Sequence, residues 1–110
     1  MNDINILSIM ALMLVHFIAD FALQSDWMAI NKNSNWKAMG AHIAIYTTCL
    51  MVFGFAYALL NGFVHLFVDI NTSRATKILW QQNKRHWFFV VIGLDQMIHY
   101  WCLILTWNLV

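Results

Sequence analysis

Histidine and aspartate residues stand four positions apart at three places in this 110-residue chain. On an α-helix, residues i and i+4 share a face with their Cβ atoms about 6 Å apart, so each pair can aim two ligand atoms at one point. Imidazole and carboxylate ligands without a nearby thiolate favour zinc, manganese, iron or magnesium, as a single divalent ion or a pair. The pairs predict six metal ligands: His16, Asp20, His65, Asp69, Asp95 and His99.

Further polar residues lie on the same predicted helices. His42 forms a stripe with Tyr46 four residues later, and we assign His42 as the catalytic base. Gln24 extends the first histidine–aspartate pair by one helical turn, and basic residues near the predicted helix ends could hold a lipid phosphate. The predicted substrate-binding residues are Gln24, Arg74, Lys77 and Arg85. Asp26, Lys32 and His86 are interpreted as solvated residues.

The composition indicates an integral membrane protein. Hydrophobic residues make up 62% of the chain and charged residues 10%, which leaves too few polar groups to cover a soluble surface. There is no proline to kink a helix. Apolar stretches of about the ~20 residues that cross a bilayer predict an all-α bundle of four short transmembrane helices. We place them in one domain, 1–110, at about 4–26, 37–59, 62–80 and 87–109.

The third stretch differs from the others. Residues 69–77 are too polar to face lipid, so this helix is expected either to be shielded by the other three or to enter the membrane partway, as a re-entrant element. The link 59–62 is short, and Gly62 is available for a turn, which makes the second and third helices antiparallel neighbours.

The basic residues predict an orientation. All six lysines and arginines fall within 32–37 and 74–85, and tryptophans flank the same links. By the positive-inside rule, links 25–36 and 81–86 face the cytoplasm of a bacterial inner membrane, and both termini are periplasmic. This confinement excludes a general nucleic-acid-binding face. Membrane lipid is the expected partner, and a second copy of the chain or a host membrane protein stays open as another.

Several of these motifs resemble a family of small bacterial and phage membrane proteins of unknown function. The resemblance runs through HFIADFALQSDWMAINK at 16–32, the stripe at 42–46, HLFVD at 65–69 and GLDQMIH at 93–99. In arrangement alone, the chain is also similar to membrane-bound metal-dependent hydrolases, whose helices carry histidine and aspartate ligands. The first resemblance implies no activity, and the second implies metal-assisted hydrolysis.

The number of buried ionisable groups decides between a structural and a functional interpretation. One histidine–aspartate pair could simply clasp two helices. Six or seven such groups, each costing about 2.5–3.5 kcal/mol at the centre of a membrane helix, favour a shared site. We therefore expect a metal-dependent hydrolase acting on a lipid-linked phosphate or ester. The alternatives are a proton or metal-ion pathway, a b-type haem bundle, and an inhibitory or interaction membrane protein of phage origin.

Overall fold

The computed structural model describes residues 3–110, in which the backbone forms five α-helices and no strand. The all-α prediction is confirmed to that extent. In chain order the helices are α1 (Ile6–Phe17), α2 (Asp26–Asn31), α3 (Trp36–Leu50), α4 (Phe55–Gln81) and α5 (Arg85–Leu105).

Short polar side chains begin the first three helices. Asn5, Ser25 and Asn35 lie immediately before α1, α2 and α3, and each side chain accepts a hydrogen bond from a backbone N–H of the following first turn. Such caps satisfy N–H groups that have no partner within the helix. Ser25 thus starts a separate helix inside the predicted first link, and α2 carries Lys32 at its end toward the bundle.

A wide π-helical turn, Ile18–Ala22, follows α1 directly. Its wider backbone spacing appears in the bond from Leu23 N to Ile18 O, five residues back, at 2.9 Å. Turns of this kind change which way the side chains of a helix point and occur often at functional sites. Here the π-turn contains Asp20, which is buried at 4% exposure.

The turn predicted at 59–62 is wrong. Helix α3 ends at Leu50, a single 3-10 turn covers Met51–Phe53, and Gly54 reverses the chain with φ 125°. That backbone conformation is accessible to glycine and strained for other residues. Helix α4 then runs without interruption through the predicted turn, so the second predicted stretch is divided between α3 and α4.

Gly62 has a packing role in the middle of α4. An added Cβ at this position would collide with the Thr47 side chain on α3, whereas Gly93 on α5 has nothing within 4 Å of an added Cβ. Gly62 is buried, and the lack of a side chain at this position lets α3 and α4 approach each other closely.

Replacing these two glycines by alanine should therefore have opposite effects. Alanine is favoured over glycine inside a helix by about 1 kcal/mol, so Gly93→Ala is expected to leave stability unchanged or raise it. Gly62→Ala should lower it by about 1–3 kcal/mol through overpacking against Thr47. Thermal unfolding followed by circular dichroism in detergent measures both. Equal melting temperatures for the two variants would contradict the close approach.

Helix α4 is the central element of the bundle and packs against both α3 and α5. The polar segment 69–77 is a continuous part of this helix, and its Asp69 and Ser73 are buried in the bundle. The connection to α5 is a tight turn in which Asn83 takes a left-handed conformation, φ 58°, that asparagine tolerates well. The turn makes α4 and α5 antiparallel neighbours and brings residues of both helices to one site.

One described helix, α5, is long and apolar enough to cross a membrane by length and composition, and Ile6–Ala22 forms a shorter apolar segment. Only 11% of the apolar window of α5 is buried, so it is not a core helix enclosed by the others. This finding supports one candidate span, and a bundle of four spans stays a prediction.

Candidate metal centre

Four side chains from three parts of the bundle converge on one point. Asp20 comes from the π-turn, His42 from α3, and His65 and Asp69 from successive turns of α4. All four are at most 4% exposed. We call Asp20, His42, His65 and Asp69 the ligand quartet.

The spacing of the quartet atoms suits a metal ion. His42 Nε2 lies 3.0 Å from Asp20 Oδ1, 3.2 Å from Asp69 Oδ2 and 3.1 Å from His65 Nε2. His65 Nε2 lies 3.4 Å from Asp20 Oδ1 and 3.3 Å from Asp69 Oδ2. Ligands about 2.0–2.1 Å from a tetrahedral ion stand about 3.3–3.4 Å apart. Five near-equal separations also exclude a square plane, which requires two long diagonals.

Hydrogen bonding alone leaves this arrangement incomplete. A neutral imidazole has one N–H, and here two Nε2 atoms face each other and two carboxylate oxygens. Asp20 Oδ1 is buried and accepts no hydrogen bond of good geometry from the described residues, although His42 Nε2 lies 3.0 Å away. Unpartnered buried polar atoms are costly, so the quartet fits an ion that all four ligands can bind.

A second group adjoins the quartet. His99 Nε2 lies 3.2 Å from Asp69 Oδ1 and 3.2 Å from Asp95 Oδ1. Asp20, Asp95 and His99 also bring one ligand atom each within 4.8 Å of one another. Thr72 Oγ1 donates to Asp95 Oδ1 at 2.6 Å, which holds this carboxylate in place.

A chain of hydrogen bonds through Gln96 orients the carboxylates of Asp20 and Asp95. Gln96 Nε2 donates to Asp20 Oδ2 and to Asp95 Oδ2, each at 3.1 Å, so Gln96 Oε1 faces His16 Nε2 at 2.8 Å. His16 therefore carries its proton on Nε2, and its Nδ1 accepts from the Tyr46 hydroxyl at 2.9 Å. Such supporting contacts fix ligand geometry. His16 lies 3.5 Å from Asp20 Oδ2 but belongs to neither ligand group, so the structure places it in a supporting position.

Charge is also unbalanced in the cluster. Among residues 3–110, one ammonium group contacts the three buried carboxylates of Asp20, Asp69 and Asp95: Lys32 Nζ is 3.4 Å from Asp69 Oδ2. Lys32 is 22% exposed, so its interpretation as a freely solvated link residue is wrong. With neutral histidines, two negative charges stay unmatched, which is the charge of one divalent cation.

The cluster borders a cavity of about 640 Å³. Its wall combines the carboxylates of the site with Lys32 and Lys77, and with apolar side chains that include Phe21, Ile30 and Phe88. A volume of this size suits a small ligand with both polar and apolar parts. The ligand groups are therefore reachable from one side of the bundle.

The predicted substrate-binding residues are divided between different places. Gln24 and Lys77 line the cavity, as expected. Arg74 lines a separate groove of about 380 Å³ that also includes Lys32. Arg85 stacks on the Trp80 ring at 3.4 Å and donates to the Trp80 carbonyl oxygen at 2.7 Å, so its guanidinium closes the turn between α4 and α5.

All six predicted metal ligands and His42 lie in this one cluster, but their placement differs from the predicted roles. His42, which the sequence predicts as a catalytic base, lies inside the ligand quartet. Gln96 and Tyr46, which had no predicted role of their own, complete the supporting contacts. The segment GLDQMIH at 93–99 holds a signal for Gln96, since the glutamine directly follows Asp95.

The fold and site together define an all-α protein with a buried histidine–aspartate cluster suited to divalent metal. The chain belongs to the family described as protein of unknown function, DUF3307, whose sequence profile matches residues 8–110. No curated protein and no solved structure matches the chain. The resemblance to a family of unknown function is thereby confirmed, and the family description supplies no activity.

Proposed function

We propose that this protein is a membrane-embedded metal-dependent hydrolase that acts on a lipid-linked phosphate or ester. The observation that carries the proposal is the ligand quartet, Asp20, His42, His65 and Asp69, bordering a cavity with basic and apolar walls. A divalent ion at such ligands supplies Lewis-acid activation of water and of a phosphoryl or carbonyl oxygen. In this proposal His42 acts as a ligand.

The cavity lining supports a lipid-linked substrate. Lys32 and Lys77 provide positive charge near the carboxylates, as a phosphate group requires. Thr72, Ser73 and Thr76 add hydroxyl groups, and the aromatic and aliphatic residues on the same wall suit an acyl or prenyl chain. The two ammonium groups favour a phosphate over an uncharged ester as the group held at the metal.

The surface supports a membrane location. Large apolar side chains are exposed along the whole bundle, including Phe63 and Phe67 on α4 and Phe89 and Trp101 on α5. Contiguous exposure of this kind marks contact with a membrane or another protein. The bundle is 45 Å long, close to the ~40–45 Å of a bilayer with its head groups. We retain four membrane crossings as part of the proposal.

The proposed orientation has links 25–36 and 81–86 in the cytoplasm and both termini in the periplasm, because every basic residue lies on one side. Single cysteines at Ser34 and Asn83, introduced after Cys49 and Cys102 are replaced by serine, should be labelled by a membrane-impermeant maleimide only when the membrane is opened. Labelling of both positions in cells in which only the outer membrane is permeabilised would place both links in the periplasm and contradict the proposed orientation.

A proton or metal-ion pathway is the second candidate, because histidines and aspartates contact one another in a continuous series at 3.0–3.5 Å. The other half of the described bundle is packed mainly with apolar side chains, including Leu12, Leu50, Leu103 and Trp107, and its core holds no histidine or aspartate among the described residues. A b-type haem is disfavoured, because axial histidines need about 4 Å between their Nε2 atoms to hold iron, and those of His42 and His65 are 3.1 Å apart.

The hydrolase proposal is tested by phosphate release from phosphatidic acid in detergent micelles. Metal-loaded protein should release phosphate, and chelation should abolish the release. Lys77→Ala should raise KM about tenfold with little change in kcat, since a charged hydrogen bond to the head group contributes about 1.5–3 kcal/mol. Lys84→Ala is the matched control, because Lys84 is exposed and lies outside the cavity. Metal-independent phosphate release, or none from lipid phosphates and lipid esters alike, would overturn the proposal.

A further inference from the structure

We propose that the cluster holds two divalent ions bridged by the carboxylates of Asp20 and Asp69. The inference rests on the metal site of the proposed function and extends it to a second ion. The first ion lies in the ligand quartet. The second lies among Asp20, Asp69, Asp95 and His99.

The carboxylate geometry carries this inference. Asp69 directs Oδ2 at His42 and His65, at 3.2 Å and 3.3 Å, while its Oδ1 lies 3.2 Å from His99 Nε2. Asp20 directs Oδ1 at the same two quartet histidines, while its Oδ2 faces Gln96 on the side of Asp95. Asp69 thus presents one oxygen to each side of the cluster, and Asp20 belongs to both ligand groups. Bridging carboxylates of this kind suit two ions about 3.5–4 Å apart.

The surroundings of His99 bring three possible ligand atoms together. His99 Nε2 stands at 3.2 Å from two carboxylate oxygens, Asp69 Oδ1 and Asp95 Oδ1, and a neutral imidazole has one hydrogen there to share between them. The Thr72 hydroxyl donates to Asp95 Oδ1 at 2.6 Å and holds that oxygen beside His99. A cation between these atoms uses the lone pairs of all three.

The overall charge connects the second ion with the substrate. One divalent ion balances the two negative charges left by three aspartates and Lys32, and a second ion adds two positive charges. That surplus lies beside the cavity and is complementary to a phosphate dianion. A two-ion site can contact both the attacking and the leaving oxygen of a phosphoryl group in an in-line displacement.

Manganese binding to the full chain tests the inference. The detergent-solubilised protein is loaded with Mn²⁺, desalted, and examined by elemental analysis and electron paramagnetic resonance. We expect two Mn²⁺ per chain, with a spectrum broadened and split by spin exchange. Asp95→Asn and His99→Gln should each reduce the content to one ion and restore the simple hyperfine pattern of isolated Mn²⁺. The matched controls Asp26→Asn and His86→Gln change exposed residues outside the cluster and should retain two coupled ions.

The outcomes separate this inference from the proposed function. One uncoupled Mn²⁺ per wild-type chain would overturn the two-ion centre and leave the single-ion hydrolase standing, with His99 and Asp95 as supporting residues. No bound Mn²⁺, and no binding of Zn²⁺ in its place, would overturn both. If both site variants fail to fold, as judged by circular dichroism, the Mn²⁺ content and the paramagnetic resonance spectrum of the wild-type protein decide whether the centre holds two ions. Two coupled ions retained in a folded His99→Gln protein would exclude His99 as a ligand.

Discussion

Asp69→Asn is expected to reduce metal affinity by more than 100-fold and to abolish hydrolysis while the helical bundle stays assembled. Asp69 contributes both carboxylate oxygens to the cluster and contacts His42, His65, His99 and Lys32. Loss of a supporting contact behind a ligand already costs about 10–100-fold in affinity, so loss of the shared anionic ligand should cost more. Equilibrium dialysis against Zn²⁺, with circular dichroism on the same samples, measures the affinity and the helix content.

The matched control for this change is Asp26→Asn. Asp26 is an exposed residue of the first turn of α2, where its charge contributes at most about 1 kcal/mol through the helix dipole. Metal affinity and hydrolysis in Asp26→Asn should equal those of the wild type. A greater loss in Asp26→Asn than in Asp69→Asn would move the functional centre to the first link and exclude the buried cluster.

Metal removal should destabilise the wild-type protein strongly. Binding of an ion to the folded state alone adds about 4 kcal/mol of stability when the free ion is at a thousand times Kd. Chelation removes this term and leaves buried carboxylates that face one another without enough counter-charge. Thermal unfolding in detergent with and without a chelator should show a large drop in melting temperature.

The same chelation experiment on two variants identifies where the stabilisation arises. Asp69→Asn should lose most of its response to chelator, because the variant no longer binds metal well and carries one buried charge fewer. His86→Gln, at an exposed position, should respond as the wild type does. An equal drop in all three proteins would place the stabilising metal outside the cluster.

The convergence of the site was predictable because it depends on helical spacing. His16 and Asp20, His65 and Asp69, and Asp95 and His99 are separated by four residues, and each pair shares a helix face in the structure. The number of ionisable groups on apolar helices then favours one shared site. None of this required knowledge of how the helices rotate against one another.

Other features depended on three-dimensional packing. The turn was misplaced because the apolar run continues through Gly54, and only the backbone angles distinguish that glycine from Gly62. The sequence spacing of His42 gives its helix face and not its distance from His65, which the approach of α3 to α4 sets. Lys32 reaches Asp69 only because α2 forms within the first link.

The roles of the supporting residues also depend on packing, because their contacts join positions that are far apart in the sequence. Gln96 contacts Asp20 across 76 positions of sequence, and Tyr46 contacts His16 across 30. A π-turn such as Ile18–Ala22 has no pattern that differs from a regular helix, yet it contains the carboxylate shared by both ligand groups. Spacing within one helix therefore identifies candidate ligands, whereas contacts between helices determine which of them lie in the ligand groups and which lie beside them.

Metal content of the purified full chain is the most direct test that the ligand quartet is a metal site. Protein prepared without chelators, and then exposed to Zn²⁺ or Mn²⁺, should carry at least one divalent ion per chain by elemental analysis. The folded double variant His42→Gln/His65→Gln should carry at least one ion fewer per chain than the wild type. Wild-type protein without metal after reconstitution, or a folded double variant with the full wild-type content, would contradict the assignment of the quartet.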